Sequence, residues 1–535
     1  MKTRFDFILV GAGSSGCALA HRLAQQNPGT EVALLEAGAR DWRPMIHVPL
    51  GFAFLLGDGP GNWGYRTEPI PQLNERQLDL PRGRMLGGTS SLNGMVYIRG
   101  QREDFDAWAA AGNEGWSYED VLPYFKRSEH HHGGDDSYHG SEGPLFVSEV
   151  LEPLPITEAF VAAACRYGLD RNTDFNAARQ RGVGLFEANI RNGRRHSTAR
   201  AFLNRTMRSS NLTVLTHVNV SSLRWRGKRV TGLDCECRGK PLELQATREV
   251  VLCAGVFNSP RILELSGVGD PDRLTGHGIP VVSSLRGVGE NLQDHLNTYV
   301  ESSIVKELTY YDYVSSWRAL PTVARWIFGR RGILGNPAAV AGAFFASDPT
   351  DDRPDTEVHF AAAASRPNEK GWMIPIPAIT ASACFLRPTS RGSCHIHSRD
   401  ANAAPRIQPD YLSTEEDRIR TLAGVRILRD ILGTSPFADH VSSELRPGAG
   451  VSSDDDLLDY IRDNADTVHH AVGTCKMGND DRAVVDDQLR VYGIEGLRVA
   501  DGSIMPTITS GNTHASCVMI GEKAADLIGG LAGAR

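Results

Sequence analysis

The chain has no uninterrupted apolar stretch approaching the roughly 18 residues that nominate a membrane-spanning helix, which argues against a helical membrane protein and leaves peripheral attachment open. An excess of positive charge is also missing: 57 lysines and arginines face 64 aspartates and glutamates, for a formal net charge of -7. A polyanion partner is therefore not expected, and no segment resembles a nucleic-acid module. Cysteine is scarce, with nine residues, an odd number, scattered along the chain. That pattern points to reduced thiols rather than a disulfide framework. The first apolar run begins within a few residues of Met1, leaving no room for a signal peptide's apolar core. A cytoplasmic location is the expectation, with peripheral attachment to the inner face of the cell membrane permitted. Repeats and low-complexity tracts are lacking too, which argues against a solenoid.

What is present is the composition of a soluble globular protein, 41% hydrophobic and 23% charged. Its 535 residues exceed what one hydrophobic core ordinarily holds, so at least two domains, interleaved in sequence, are predicted. Asp6 to Val10 is a short apolar run ending at Gly11, Ser15 to Gln26 places alanine and leucine at helical spacing, and Glu31 to Ala37 is a second apolar run. Strand, tight turn, helix and strand in that order open a βαβ unit. Arg248 to Ala254 is a further strand candidate for the same sheet. Leu497 to Ala500, followed by a helix from about Ala515 to Leu531, returns to this texture near the end. Between about 306 and 460, segments such as Glu357 to Phe360, Ala381 to Leu386 and Cys394 to His397 suggest an antiparallel sheet instead. The predicted fold class is α/β: a discontinuous Rossmann-like domain from 1–155, 215–305 and 461–535, and a second domain from 156–214 and 306–460 built on an antiparallel sheet backed by helices.

Gly11, Gly13 and Gly16 stand in Gly-Ala-Gly-Ser-Ser-Gly directly after the first strand, and Glu36 closes the next strand 20 residues beyond Gly16. The glycines permit a tight turn and close backbone approach, the helix N-terminus faces a pyrophosphate, and Glu36 accepts from ribose hydroxyls. Tight helix–strand packing is the bland alternative. This fingerprint does not choose between NAD and FAD. A second stretch, Pro81 to Gly94, does: it is too rich in glycine and small hydroxyl residues for a regular element and suits backbone contact with a further cofactor region.

With that stretch and a third, Gly255 to Gly269, the chain resembles the glucose-methanol-choline oxidoreductase family. The resemblance runs essentially end to end, through Asn62-Trp63-Gly64-Tyr65, Gly287 to His295, and Leu386-Arg387-Pro388 before Ser390-Arg391-Gly392. It implies an FAD domain and a substrate domain with the active site between them. By motif, the cofactor-binding candidates begin with Gly11, Gly13, Ser14, Ser15, Gly16, Glu36 and Ala37. Gly87, Gly88, Ser91, Asn93 and Gly94 would meet the flavin side, and Val218 the adenine through its backbone. Asp501 with Gly502 would lie near the pyrophosphate and ribityl chain, Asn512 and Thr513 near the isoalloxazine. Trp63, Arg84, Met95, Val96, Ala254 and Gly255 complete the set. Leu92 stands where some family members carry a tethering histidine, so FAD is expected to be bound non-covalently.

The family's catalytic position, the residue before Ala-Val-Gly-Thr, is His470, and His514 in Asn-Thr-His occupies the partner position. Imidazole titrates near neutrality and can take a hydroxyl proton at working pH. Neighbouring side chains on an extended segment point opposite ways, so His469 is expected to line the cavity edge or to pack elsewhere. The implied reaction is oxidation of an alcohol, primary and aliphatic, polyether-like or aromatic, to the aldehyde. His470 acts as base, the hydride goes to flavin N5, and the electrons pass to oxygen or a quinone-like acceptor. Apolar Phe344, Phe345, Trp372, Met373 and Ile374 are expected near the substrate, with no carboxylate cluster to favour choline. A non-redox lyase or photoenzyme on the same fold is the alternative; a nicotinamide enzyme and a binding module fit less well. No metal site is expected: His130-His131-His132 reads as a solvated loop, and Cys235-x-Cys237 and His395-x-His397 as strand alternation. The sequence does not specify the oligomeric state.

Overall fold

A computed structural model describes residues 2–57, 59–133, 136–150, 152–207, 209–305, 308–367 and 373–529. The apolar runs near the N-terminus become the middle of a seven-stranded sheet. From one edge its order is Leu212–Thr216, Val32–Glu36, Arg4–Val10, Lys240–Leu252, Arg229–Cys237 and Val218–Arg226, with Leu497–Val499 also paired to Lys240–Leu252. The first four strands and Leu497–Val499 run parallel; the last two pairings, of Lys240–Leu252 with Arg229–Cys237 and of Arg229–Cys237 with Val218–Arg226, are antiparallel. Val32–Glu36 is buried at every position, as a parallel strand covered on both faces requires. Helices Ser14–Gln26 and His514–Gly529 pack together on this sheet. Gly521 makes that approach possible, since a Cβ there would lie 2.3 Å from the Ser15 carbonyl oxygen.

The second sheet also has seven strands and is antiparallel throughout. Its order is Val441–Arg446, Leu296–Ile304, Ala378–Phe385, Thr356–Ala361, Ala341–Phe345 and Gly182–Leu185, with Asp466–Thr467 also on Leu296–Ile304. Helices Pro155–Tyr167 and Glu415–Leu432 back it and share its apolar core. The first sheet has a separate core.

The α/β class is observed; several boundaries move. Leu212–Thr216 belongs to the first sheet, so the segment expected to end at 214 ends before 212. Leu296–Ile304, expected in the cofactor domain through 305, is an interior strand of the second sheet, and Asp466–Thr467, expected after 461 in the cofactor domain, pairs with it. The reason is physical: an alternating Leu-Asn-Thr-Tyr-Val suits an edge of either sheet, and only the partner strands decide. The strand expected from Arg248 to Ala254 begins earlier and stops sooner, at Lys240–Leu252. Cys394 and His395 pair with Arg406–Gln408 in a separate ribbon rather than the large sheet. The last helix is described to Gly529, and Leu531 lies outside the described residues. His131 is not solvated: its side chain is 8% exposed and pairs with Glu187, while His130 stacks on Phe146 with ring centroids 4.1 Å apart.

Candidate active site

A cavity of about 460 Å³ opens between the two sheets. The first sheet brings Gly11, Gly13, Ser14, Ser15, Glu36, Ala37, Val218, Ala254 and Gly255 to its wall. From the loops come Trp63, Gly88, Asn93, Gly94, Met95, Val96, Asp501, Gly502, Asn512 and Thr513, and the two catalytic candidates His470 and His514 line it as well. Four candidates do not. Gly16 packs its helix against the turn, where a Cβ would lie 2.0 Å from the Gly11 carbonyl oxygen. Gly87, at φ +89, donates its N–H to the Ala12 carbonyl, and Ser91 Oγ donates to the Leu86 carbonyl, so both hold the loop rather than face the cavity. The Arg84 guanidinium lies 4.6 Å over the Trp63 ring, behind the wall.

The residues present fit a dinucleotide. Helix Ser14–Gln26 has no side-chain cap at Gly13, so first-turn N–H groups are left for an anion. Burial raises Glu36 to about 7, against hydrogen bonds from the Gly38 and Ala12 amides at 2.8 and 3.2 Å. Each of its oxygens keeps a lone pair for a ribose hydroxyl. Asp501 is bonded within the protein: Oδ2 accepts from Gly255 N at 2.8 Å and Ser259 Oγ at 2.6 Å, and Oδ1 accepts from Ser503 N at 2.8 Å. It joins the two loops that bracket the cavity. Leu92 lies on the wall and offers no nucleophile for a covalent link.

The geometry around His470 sets its tautomer. His295 Nε2 lies 3.0 Å from the Leu386 carbonyl oxygen, which can only accept, so that nitrogen carries the proton. Neutral His295 then presents a lone pair at Nδ1, 3.0 Å from His470 Nδ1, which must donate. His470 Nε2 is left bare, and the Asn512 amide donates to it at 2.9 Å. Burial, followed by neighbouring imidazoles and Arg82, holds His470 well below its ordinary value, and burial holds His295 at about 4. Both rings are therefore neutral at pH 7, and a bare imidazole nitrogen is what a general base needs. His514 begins the last helix with Nδ1 2.9 Å from Ser14 Oγ, which ties it to the dinucleotide turn; no hydrogen bond to His470 is seen among the described residues.

His469 also lines the cavity, one of the two placements expected of it. Its φ of 66° is left-handed, so the segment is not extended there and neighbouring side chains do not diverge as on a strand. The sequence also gave no role to His359, whose ring centroid lies 6.5 Å from that of His470 on the cavity floor, or to His295. Of the apolar residues expected near the substrate, Phe344 and Phe345 are buried in the second domain's interior, Ile374 is 45% exposed on a ribbon with Met373, and Trp372 lies outside the described residues. Asn297, Tyr299, Thr380 and Ser382 take their place, giving the second sheet's side of the cavity a polar wall. Among the described lining residues, Glu36 and Asp501 are the only carboxylates.

Among the described residues, two clusters each bring three metal-ligating side chains together. In Glu129, His131 and His139 the charge is already met: Glu129 pairs with Arg99, and His139 bridges Glu129 and Asp174 at 3.1 and 2.8 Å. The other, Glu357 with His359 and Cys384, lies under the cavity floor. Both Glu357 oxygens are buried without a hydrogen bond, the nearest imidazole nitrogen is His359 Nε2 at 3.4 Å, and burial raises Glu357 to about 8. The folded chain thus keeps a proton that the unfolded chain, with its ordinary value of 4.5, gives up. The stability this group contributes is complete below 4.5 and lost as pH rises through 8. Glu357→Gln, which carries no proton to lose, is expected to match the wild type near pH 5 and to be more stable by about 2–4 kcal/mol at pH 8. Urea unfolding at the two pH values measures the gap, and a gap that does not widen with pH rules out the protonated carboxyl.

Residues 5–297 and 388–521 match two family models, each described as GMC oxidoreductase. An "Alcohol dehydrogenase [acceptor]" of Pseudomonas putida is 40% identical over 98% of this chain and 95% of its own length. An "Oxygen-dependent choline dehydrogenase" of Rhizobium johnstonii is 39% identical, with the same coverage of both chains. Among solved structures, pyridoxine 4-oxidase from Mesorbium loti superposes with a TM-score of 0.87 at 33% identity, over 97% of this chain and 98% of that one.

Proposed function

The chain belongs to the GMC oxidoreductase family, which acts on CH–OH donors, and from that premise we propose that it oxidises an uncharged primary alcohol to the aldehyde. FAD, the cofactor of this family, supplies the acceptor for the hydride that leaves the alcohol carbon. The single observation that carries the reading is the bare Nε2 of buried His470 on the cavity wall, on the side of the ring away from the His295 chain that fixes it. An alcohol hydroxyl that replaces the Asn512 amide at this nitrogen gives up its proton there. Asn512 and His514, both on the wall, are positioned to donate to the alcohol oxygen as negative charge builds. Gly13, Glu36 and Gly88 hold the dinucleotide, and Leu92 supports non-covalent attachment.

The relatives' names favour two kinds of substrate, a simple alcohol and choline. The absence of a carboxylate on the second sheet's wall, among the described residues, favours the uncharged one, because a quaternary ammonium taken from water needs an anion or an aromatic cage. The hydroxyls and amide of Asn297, Tyr299, Thr380 and Ser382 support a compact polar or aromatic alcohol over a long alkyl chain. Electrons then leave to oxygen or to a quinone-like acceptor.

Anaerobic flavin bleaching by benzyl alcohol, pyridoxine, 1-butanol and choline, followed by reoxidation with oxygen or an artificial acceptor, tests the reading. Uncharged alcohols are expected to bleach the flavin faster than choline. Choline alone bleaching would reverse the substrate class, and no bleaching of FAD-loaded protein by any alcohol would remove the activity. Acid precipitation is expected to release all the flavin into the supernatant, and colour retained in the washed pellet would contradict non-covalent binding.

A further inference from the structure

Eleven of the exposed large apolar side chains come from two stretches, residues 42–54 and 305–328, together with Ile374. Several of the segments that carry them meet: Ile333–Gly335 contacts both Pro49–Phe54 and Ala319–Gly329, and Tyr311–Val314 contacts Ala319–Gly329 and Met373–Ile376. Helix Ala319–Gly329 buries only Trp326, while Leu320, Val323, Ile327 and Phe328 stay exposed; Leu320 and Phe328 are 73% and 88% accessible, and Trp317 just ahead of it is 72%. The turn that follows, Ile333–Gly335, packs on Pro49–Phe54, whose Phe54 is 79% exposed. A helix with this distribution is not paid for by a core.

A second cavity, of about 550 Å³, adjoins the C-terminal end of the same helix. Arg191, Arg194, Arg195, Arg200 and Arg330 line it, and no carboxylate among the described residues does. Arg330 caps the helix and lies 4.5 Å over Trp326, whose indole N–H donates to the Gly193 carbonyl at 2.8 Å, so helix and cavity are joined directly. Three of these guanidinium groups have buried nitrogens without a hydrogen-bond partner: Arg194 Nε, Arg195 Nη2 and Arg200 Nε. Arg195 is 1% exposed; its other nitrogens reach the Ile46 and Ser90 carbonyls and Asn93 Oδ1. The nearest carboxylate to Arg200 is Asp41, at 3.8 Å. Buried cationic donors left open in this way take an anion, and guanidinium geometry suits a phosphate.

We propose that this face docks the protein on an anionic phospholipid bilayer, the arginine-lined cavity receiving a lipid phosphate and the side chains of Trp317, Leu320, Phe328 and Phe54 entering the acyl boundary. Charge complementarity selects this occupant. The chain as a whole is negative, with a net charge of -7, so only a local cluster of arginines can bring it to a negative surface. The carboxylates on this side, Glu152, Asp312 and Asp41, already face Arg325, Arg318 and Arg200, at 3.0, 3.8 and 3.8 Å. An interfacial helix of this kind lies in the membrane plane without crossing it, and no helix among the described residues is long and apolar enough to cross. Phe52, Leu56 and Ala338, beside these segments, line the active-site cavity, so docking sets its apolar rim against the lipid.

The test is co-sedimentation of the FAD-loaded enzyme with vesicles of phosphatidylcholine alone or mixed equally with phosphatidylglycerol, at low and high salt. Binding is expected only to the anionic vesicles and should fall steeply with salt. Leu320→Ser with Phe328→Ser should weaken it at least 10-fold, and Arg191→Gln with Arg194→Gln roughly 10-fold or more, each pair leaving dye-linked alcohol oxidation unchanged. No binding of the wild type to anionic vesicles overturns the proposal, whatever the variants do. So does binding that neither pair alters. Inorganic phosphate that raises the melting temperature of the wild type but not of the arginine variant, without vesicle binding, assigns the cavity to free phosphate and also overturns it. A lipid-free dimer that Leu320→Ser with Phe328→Ser dissociates, without vesicle binding by the wild type, gives the face to a second copy of the chain instead.

Discussion

Anaerobic reduction of the bound flavin by a good alcohol is expected to slow roughly 10²–10⁴-fold in His470→Ala, the usual loss when a positioned base is removed. The other imidazoles on the described wall are His359, His469 and His514; His514 is tied to Ser14, and the hydrogen bond with His295 that fixes a tautomer is made by His470. Water that fills the gap is a far weaker base at neutral pH. His469→Ala should instead act mainly on substrate affinity, because its Nδ1 is buried without a partner and its main-chain N–H, bonded to Thr467 Oγ1 at 2.7 Å, survives the substitution. Stopped-flow reduction with both variants loaded with FAD makes the comparison. Equal and severe losses would show that the two imidazoles act as a unit. The pH dependence carries a sign as well. His470 is held well below 6.5, so the neutral base persists as pH falls and the acidic limb of the reductive rate should lie below 6.5.

His295→Leu is expected to slow the same step by about 10²-fold, though His295 has no place in the reaction itself. It acts through His470: the Leu386 carbonyl fixes the proton on His295 Nε2, and His295 Nδ1 in turn holds the proton of His470 on the far side of its ring. Leucine fills much of the space but accepts nothing. The His470 ring is then free to adopt the other tautomer, with its proton where the substrate hydroxyl must approach. His295→Gln keeps a carbonyl oxygen that can accept from His470 Nδ1 and should recover most of the rate. That rescue separates positioning from packing. If leucine and glutamine variants are equally slow at full FAD occupancy, the hydrogen bond does not carry the effect; if both are as fast as the wild type, the tautomer needs no such control.

The cofactor half of the cavity was legible because its chemistry is local. Gly11, Gly13 and Glu36 sit on one strand–turn–helix–strand unit, and the spacing that forms the turn also faces it toward a ligand. The substrate half was not. Hydrophobicity nominated Phe344 and Phe345, yet these residues fill the interior, while the polar wall comes from Asn297, Tyr299, Thr380 and Ser382, ordinary strand residues whose faces depend on register. His295 is the sharpest case. It lies 175 residues from its partner His470, and no local spacing relates them. Asp294 draws them together by accepting from Thr467 Oγ1 and the Tyr411 hydroxyl, each at 2.6 Å, beside the pairing of Leu296 with Thr467.

By itself, then, the sequence determined the βαβ unit and its glycine-rich turn, because short-range periodicity and fixed turn chemistry act within a few residues, while the resemblance of its motif to the family's singled out His470 as the candidate base. The tertiary structure alone decided which sheet took Leu296–Ile304, which nitrogen of His470 is bare, and that an arginine-lined cavity adjoins an exposed apolar helix. Those outcomes depend on strand register and on hydrogen bonds between segments far apart in the chain. A one-residue change in register turns every side chain of a strand to the other face, and nothing in the strand's own residues chooses between the two.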